Sequence, residues 1–337
     1  MSILSRDHLS LPVATMMAGL IFLGSGLLGS QARADFRGDL LINDNVSSQI
    51  LAFNPTTGAY LGIFATVPGS GPSYMVEGPN GNIYVGTYFS GSALEFDGST
   101  GAQINGFKLQ PPTPNAIITG LAFDSQGNLY AANAKATNNG TIDKYNATTG
   151  AFVQQIAAGL ATPRGLVVDN GNLYITTAGT AVVGSIVEFS LTGQLLNTFA
   201  TNLPAGRPEG LVVGPNGNLF TTDGVSSVYQ FTTAGVQVGA GPYVTNSGIL
   251  ATYGAGFGPD GSLFVTSDTG PTFKFNASGN LIGTGAFIAQ SGAGYSFPYP
   301  VQPLFNAVPE PSSIILLLTG ASVIAIGKYR NRRNAQH

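Results

Sequence analysis

Gly81-Asn82-Ile83-Tyr84-Val85 is one copy of the short pattern that decides the fold of this chain. The pattern is glycine, a small polar residue, an apolar residue and an aromatic residue. It returns as Gly127-Asn128-Leu129-Tyr130, Gly171-Asn172-Leu173-Tyr174-Ile175, Gly217-Asn218-Leu219-Phe220 and Gly261-Ser262-Leu263-Phe264-Val265, with a degenerate copy at Gly38. Successive copies begin 43 to 46 residues apart, and such a constant period identifies a repeat array.

A second pattern follows each copy: alternating residues that end in an aromatic, and then a polar turn with a glycine. The aromatics are Phe53, Phe96, Tyr145, Phe189, Phe231 and Phe275, and the turn glycines are Gly58, Gly101, Gly150, Gly193, Gly235 and Gly279. Alternation of apolar and polar residues, rich in aromatic and β-branched types, predicts strands. Glycine in the turn allows the positive φ that a tight hairpin needs.

Each repeat therefore has room for four short strands. In the third unit we predict strands at Gly120 to Phe123, Asn128 to Ala132, Thr141 to Asn146 and Ala151 to Ala157. A period near 45 residues with four strands is typical of a β-propeller blade. The sequence thus predicts an all-β, six-bladed β-propeller of four-stranded blades over residues 35–307.

The register of the repeats also predicts how the ring closes. The first unit begins at Gly38 with its second strand and has no first strand. Residues Tyr299 to Phe305 fall where another first strand is due. We expect this segment to complete the N-terminal blade, in a three-plus-one clasp.

Residues 1–34 have the features of a signal peptide. Arg6 precedes an apolar stretch from Leu11 to Gly29, and Ala32-Arg33-Ala34 has the small-x-small pattern of a cleavage site. We expect signal peptidase to cut after Ala34. Asp7 is atypical of the charged region, so an uncleaved anchor is the alternative.

Residues 308–337 carry a second targeting pattern. Pro309, Glu310 and Pro311 precede an apolar run from Ile314 to Gly327, and a basic cluster starts at Lys328. This resembles the PEP-CTERM sorting signal, which an exosortase reads in bacteria that make extracellular polysaccharide. The resemblance implies a short transmembrane helix, processing at the Pro-Glu-Pro motif, and a final location at the cell surface or outside the cell. The alternative is a permanent C-terminal anchor.

Charge and composition exclude several classes of function. Residues 35–307 hold fourteen Asp and Glu and seven Lys and Arg, a net charge of −7, which argues against nucleic acid as a partner. The chain has no cysteine, and its two histidines, His8 and His337, lie in the terminal segments. The body therefore lacks thiolate chemistry, the usual general base and the usual zinc ligand.

The stretch from Pro208 to Phe220 resembles the NHL-repeat and SMP-30/gluconolactonase-like propellers. That resemblance implies a divalent cation, often calcium, at the mouth of the central channel, with ligands just before the Gly-Leu that opens a first strand. The residues at this position are Ser73, Thr119, Arg164, Glu209 and Tyr253. Only Glu209 suits a cation, and we expect Arg164 to repel the ion and to pair with Glu209.

The loops after the second strands should reach the same face. They contribute Asp44, Asn133, Asp223 and Asp268, among others. Glu209 with Asp223 is the best candidate pair for a metal. The alternative is that these side chains cap their own loops. The further candidates for a binding face are Arg164, Asn133, Asp44, Asp268 and Tyr253.

From the residues we predict a non-enzymatic, exported propeller with no catalytic residue and no cofactor, which binds an extracellular glycan or a surface protein. The alternative is a calcium-dependent, gluconolactonase-like lactone hydrolase that uses Glu209 and Asp223 as ligands. A structural spacer without a soluble ligand is the third hypothesis. The predicted partners during export are signal peptidase and exosortase.

Overall fold

A computed structural model describes residues 35–69, 71–88, 90–112, 117–134, 139–178, 184–200, 203, 207–245, 248–267, 270–289 and 304–305. This part of the chain is all-β: it forms 22 strands, and none of its residues is helical. No helix capable of crossing a bilayer occurs within these ranges. The predicted signal peptide and sorting helix lie outside the described residues.

The strands form six antiparallel sheets, numbered here in chain order. Sheet 1 contains β1 (Leu40–Asp44), β2 (Gln49–Phe53), β3 (Tyr60–Thr66) and the C-terminal β22 (Leu304–Phe305). Sheet 2 contains β4 (Pro72–Glu77), β5 (Ile83–Thr87) and β6 (Ala93–Phe96). Sheet 3 contains β7 (Ile117–Phe123), β8 (Leu129–Ala134), β9 (Gly140–Tyr145) and β10 (Phe152–Leu160).

The second half of the chain repeats the arrangement. Sheet 4 contains β11 (Pro163–Asp169), β12 (Asn172–Thr177), β13 (Ser185–Ser190) and β14 (Leu195–Ala200). Sheet 5 contains β15 (Leu211–Val213), β16 (Leu219–Thr222), β17 (Ser227–Phe231) and β18 (Val244–Thr245). Sheet 6 contains β19 (Thr252–Phe257), β20 (Leu263–Ser267) and β21 (Thr272–Phe275).

The four strands predicted for the third unit are confirmed by β7 to β10, with ends that differ by a few residues. The prediction of four strands in every unit is wrong for sheets 2 and 6, where three strands are described. Isolated bridges, such as Phe96 with Gln103 and Phe275 with Leu281, stand in place of the fourth strand. Gly106 and Gly283 have positive φ in these segments, and glycine weakens a strand at such a point.

Hydrophobic side chains from successive sheets pack between them. Six buried clusters are described, each shared by two neighbouring sheets, and one of them joins sheet 6 to sheet 1 through Phe264, Ile288, Leu40 and Leu51. The inner strands β4, β7, β11, β15, β19 and β22 contact one another in that order, and β22 contacts β4. A sheet that buries both faces against its neighbours has no need to be stable alone. This succession of sheets is that of a β-propeller-like fold.

The C-terminal strand closes the series. Leu304 pairs with Leu41 and Phe305 with Leu40, so β22 lies beside β1 in antiparallel register. This confirms the predicted pairing for these two residues; the rest of the segment from Tyr299 lies outside the described residues. The C-terminal strand thus covers the edge of β1 at Leu40 and Leu41, so that strands from the two ends of the described body share one sheet.

Candidate functional site

Glu209 lies just before β15, on the loop that leads from sheet 4 into sheet 5. Its side chain is 2% exposed, and Oε2 lies 3.3 Å from Nε of Arg164, which belongs to β11 in sheet 4. The predicted pairing of Arg164 with Glu209 is therefore confirmed. Because Arg164 lies near the start of β11 and Glu209 lies just before β15, this ion pair links two neighbouring sheets.

A second cation lies on the other side of the carboxylate. Nε of Arg207 is 3.8 Å from Oε1 of Glu209, and the Arg207 side chain is 56% exposed. Burial raises the pKa of Glu209 above its usual value, while the charges of Arg164 and Arg207 act in the opposite direction. We call Arg164, Arg207 and Glu209 the Glu209 cluster.

The backbone around Glu209 is fixed by hydrogen bonds on both sides. Its N–H donates to the Thr222 carbonyl at 3.1 Å, within its own sheet. Its carbonyl accepts from the N–H of Gly165 and from Oγ1 of Thr176, both at 3.0 Å and both in the preceding sheet. The loop residue that carries the carboxyl group is thus fixed by backbone hydrogen bonds to both sheets.

Asp223 follows β16 and is 4% exposed. Its Oδ1 accepts hydrogen bonds from the backbone N–H groups of Val225, Ser226 and Ser227 at 2.8 to 2.9 Å, and from Oγ1 of Thr252 at 2.9 Å. The side chain therefore caps its own loop, as the alternative for the acidic loop residues predicted.

These residues do not fit the calcium site that the family resemblance implies. Calcium takes six to eight oxygens, several of them carboxylates. Glu209 is neutralised by two arginines, and the Oδ1 atom of Asp223 already has four donors. Across the described ranges, no group of three or more His, Cys, Asp or Glu side chains could hold an ion.

The other predicted binding-face residues are mostly engaged within the protein. Asp44 is 1% exposed and accepts from Ser47 Oγ at 2.7 Å and from the N–H of Val46 at 3.0 Å. Asn133 is fully buried, and its Nδ2 donates to Asp143. Tyr253 is 8% exposed, on β19. The remaining predicted site residues, Asp268, Ala32, Ala34, Pro309, Glu310 and Pro311, lie outside the described residues.

Hydroxyl groups on the first and second strands join neighbouring sheets, a role that the sequence did not reveal. Ser73 Oγ donates to the Ile118 carbonyl at 2.6 Å, and Thr119 Oγ1 donates to the Pro163 carbonyl at 2.8 Å. Thr222 Oγ1 donates to the Tyr253 carbonyl at 2.9 Å. Ser73 and Thr119 occupy the positions where the family resemblance would place ligands, and here they hold the ring together.

Arg207 was also missed by the sequence reasoning. It lies two residues before Glu209, outside the repeat pattern that marks Arg164, and this closeness in sequence was the available signal. Its addition changes the cluster from a neutral pair to a group with a net positive charge. Such a group attracts anions rather than metal cations.

The sequence matches no family model and no curated protein sequence. Similar solved structures include a gluconolactonase of Xanthomonas campestris, at 15% identity and a TM-score of 0.54, covering 70% of this chain and 84% of that one. A luciferin-regenerating enzyme has 16% identity and a TM-score of 0.56, with 77% and 96% covered. A catalytically inactive virginiamycin B lyase from Staphylococcus aureus, solved with quinupristin, has 14% identity and a TM-score of 0.57, with 81% and 89% covered.

These neighbours agree with the prediction of an SMP-30/gluconolactonase-like propeller body. The prediction that the chain is not an enzyme is wrong on this comparison, because the similar structures include three enzymes. At 14 to 16% identity this likeness shows the fold alone, because one fold can carry many different activities.

Proposed function

We propose that this chain is a propeller enzyme that opens lactones or similar cyclic esters by hydrolysis, at the Glu209 cluster. The observation that carries the proposal is the buried carboxyl group of Glu209 between the guanidinium groups of Arg164 and Arg207. Burial shifts the pKa of a carboxyl group upward, toward the range in which it exchanges protons near neutral pH.

The chemistry assigns a role to each member of the cluster. Glu209 as a carboxylate takes a proton from water, and the water oxygen forms a bond with the lactone carbonyl carbon. The exposed guanidinium of Arg207 stabilises the negative charge that develops on the carbonyl oxygen. When the ring C–O bond breaks, the proton on Glu209 passes to the leaving alkoxide. The product is a hydroxy acid, and its carboxylate is again suited to Arg207. Arg164 orients Glu209.

Hydrolysis of aldono-δ-lactones by the purified protein, followed with a pH indicator, tests the proposal. Glu209→Gln should reduce kcat/KM by about 100-fold or more, the size typical of a lost general base. Glu188→Gln is the matched control, because Glu188 lies on β13, away from the cluster. Addition of EGTA should leave the rate unchanged. Activity that survives Glu209→Gln would refute the assignment.

We further propose that the six sheets are the blades of a six-bladed propeller. The sequential contacts of the inner strands and the pairing of β22 with β1 support this number. The repeat spacing supports it independently, since six copies of the motif account for residues 38 to 287. An experimental structure of the body would count the blades directly.

We also propose export to the cell surface or the extracellular space, with transient anchoring by the C-terminal helix. The support is the sequence of the two ends: Ala32-Arg33-Ala34 and Pro309-Glu310-Pro311 are placed as processing signals. Mass spectrometry of the protein isolated from its producing bacterium tests this. A mature chain that begins at Asp35 and ends near Pro311 is expected, and an intact chain in the cytoplasm would contradict it.

A further inference from the structure

A cavity of about 550 Å³ lies between sheets 2 and 3, apart from the Glu209 cluster. Glu95 on β6 lines it and is 5% exposed. Its Oε1 accepts three hydrogen bonds, from Tyr84 Oη at 2.9 Å, Asn80 Nδ2 at 3.0 Å and Asn82 Nδ2 at 2.7 Å. All of these donors are neutral, and within the described residues Glu95 has no ion pair. We call this cavity the Glu95 pocket.

Sheet 3 contributes a second hydrogen-bond acceptor to the pocket. Ala147, in the turn after β9, lines the cavity and its carbonyl accepts from Tyr84 Oη at 3.3 Å. The rings of Tyr84, Phe107 and Phe123 form the wall, with Tyr84 edge-on to Phe107 at 5.0 Å and to Phe123 at 4.9 Å. A carboxylate, a carbonyl and aromatic rings together suit a cation that donates hydrogen bonds.

The repeat indicates which kind of cation fits, because sheet 6 has a lysine, Lys274, at the position equivalent to Glu95. Glu95 on β6 pairs with Tyr84 on β5 in sheet 2, as Lys274 on β21 pairs with Phe264 on β20 in sheet 6. The Lys274 ammonium donates to the Pro55 carbonyl at 3.0 Å and to Asp260 at 3.2 Å.

The surroundings correspond as well. The Lys274 ammonium lies 5.0 Å from the Phe264 ring and 5.4 Å from the Phe287 ring. These two rings are edge-on to each other, as are the Tyr84 and Phe107 rings that line the Glu95 pocket. Pro55 and Ala147 have the same place in their turns, each directly after an asparagine whose Oδ1 caps the turn. Sheet 6 therefore satisfies this kind of inter-sheet site with its own lysine, whereas sheet 2 supplies an anion and a cavity.

We propose that the Glu95 pocket is a second ligand site, which binds a primary ammonium group from outside the chain. The ammonium would lie against Glu95 Oε2 and the Ala147 carbonyl, beside the Tyr84 and Phe107 rings. The Lys274 ammonium of sheet 6 likewise contacts a carboxylate, that of Asp260, and a carbonyl, that of Pro55, beside two aromatic rings. Two sources share this chemistry, the side chain of a lysine on another protein and the amino group of an amino sugar. The proposal is independent of the proposed hydrolase activity.

Titrations followed by amide NMR spectra of the purified protein test it. The probes are Nα-acetyl-lysine methylamide, D-glucosamine and the uncharged Nα-acetyl-norleucine methylamide. At least one amine should shift the amide signals of Gly127 and Thr148, which line the pocket, and the uncharged probe should not. Stronger binding of the lysine probe would identify a protein side chain as the source, and stronger binding of glucosamine an amino sugar.

Two variants locate the interaction. Glu95→Gln should weaken amine binding about tenfold, as expected when a hydrogen bond to a charged group becomes a neutral one. Thr148→Trp keeps the carboxylate and blocks the exposed rim of the pocket, so it should abolish binding. This variant keeps the proposal testable if Glu95→Gln fails to fold. Glu188→Gln is the matched control. Glu188 accepts from Tyr174 and Asn172, as Glu95 accepts from Tyr84 and Asn82, but it does not line the cavity. Failure of both amines to bind, or binding unchanged in Thr148→Trp, would overturn the proposal.

Discussion

The Nε atom of Arg164 lies 3.3 Å from the Oε2 atom of Glu209, and the two residues belong to neighbouring sheets of the ring. Neither Nε of Arg164 nor Oε1 of Glu209, both buried, has a hydrogen-bond partner among the described residues. The pair is therefore held by charge rather than by well-aligned hydrogen bonds. A buried carboxylate in this situation depends on its cation for most of the compensation of its lost hydration.

Arg164→Met should destabilise the protein at neutral pH by about 2–4 kcal/mol, because it leaves the Glu209 carboxylate buried with only the more distant Arg207. The pKa of Glu209 is raised in the folded state, so its contribution to stability is present below its usual pKa and is lost as pH rises through the raised value. Arg164→Met raises that pKa further. Thermal unfolding at several pH values should show the largest defect at neutral pH and a smaller one near about pH 5.

Two variants separate charge from packing at this pair. Arg207→Met should cost less than about 1 kcal/mol, since Arg207 is 56% exposed and solvent screens its charge. The double variant Arg164→Met with Glu209→Gln should lose most of the pH dependence of the single variant. A defect of Arg164→Met that stays constant from acid to neutral pH would show that lost packing, not the carboxylate, is responsible.

Gly101 tests the turn chemistry of the repeat. It has a φ of +71°, and a β-carbon at this position would collide with the Phe64 carbonyl oxygen of sheet 1. Gly101→Ala should therefore cost about 2–4 kcal/mol, through backbone strain and overpacking together. Gly81→Ala is the matched control, because Gly81 has a φ of +75° and nothing within 4 Å, so only the strain of about 1 kcal/mol remains. Equal losses in urea unfolding would contradict this reading.

The closing strand can be tested by truncation. Chains that begin at Asp35 and end at residue 307 or at residue 302 differ by the segment that contains β22. Removal of β22 breaks its pairing with Leu40 and Leu41 and exposes the inner edge of sheet 1. We expect a loss of about 2 kcal/mol, or roughly 5 °C in the unfolding midpoint for a body of this size. Equal midpoints for the two chains would show that β22 contributes nothing to closure.

Much of the fold could be predicted from the sequence because the repeat is carried by residues with a fixed physical role. Tyr84, Tyr130 and Phe264 mark the second strand of their sheets, and all are buried. That sheets 2 and 6 have three described strands instead of four could not be predicted, since the period says nothing about glycines such as Gly106 and Gly283 that interrupt pairing.

The candidate sites were predicted less completely than the fold. The pairing of Arg164 with Glu209 followed from their equivalent positions in successive repeats, and the structure confirms it. Arg207 was missed because it lies in a connecting loop outside the repeat. The Glu95 pocket was missed because a cavity between sheets depends on side-chain volumes across two repeats, which no spacing of residues within one repeat reveals.

Asp97 provides a test of how the turns respond to acid. Its Oδ1 accepts from Ser99 Oγ at 2.6 Å, Thr100 Oγ1 at 3.0 Å and the N–H groups of both residues. These bonds, the one from the Ser99 hydroxyl above all, lower the pKa of Asp97 from 3.8 to about 2. Its contribution to stability is therefore present above 3.8 and is lost as pH falls through about 2.

The matched variant is Asp97→Asn, because Asn54, Asn146 and Asn276 cap the equivalent turns through the same Oδ1 bonds. The amide can accept these bonds at every pH, so we expect it to unfold at nearly the same temperature as the parent at neutral pH. Between about pH 4 and pH 2 the parent should lose more stability than the variant. A direct NMR titration of the Asp97 carboxyl group gives the pKa itself. A value near 3.8, with parallel acid unfolding of the two proteins, would show that the turn hydrogen bonds do not discriminate between the charged and neutral forms.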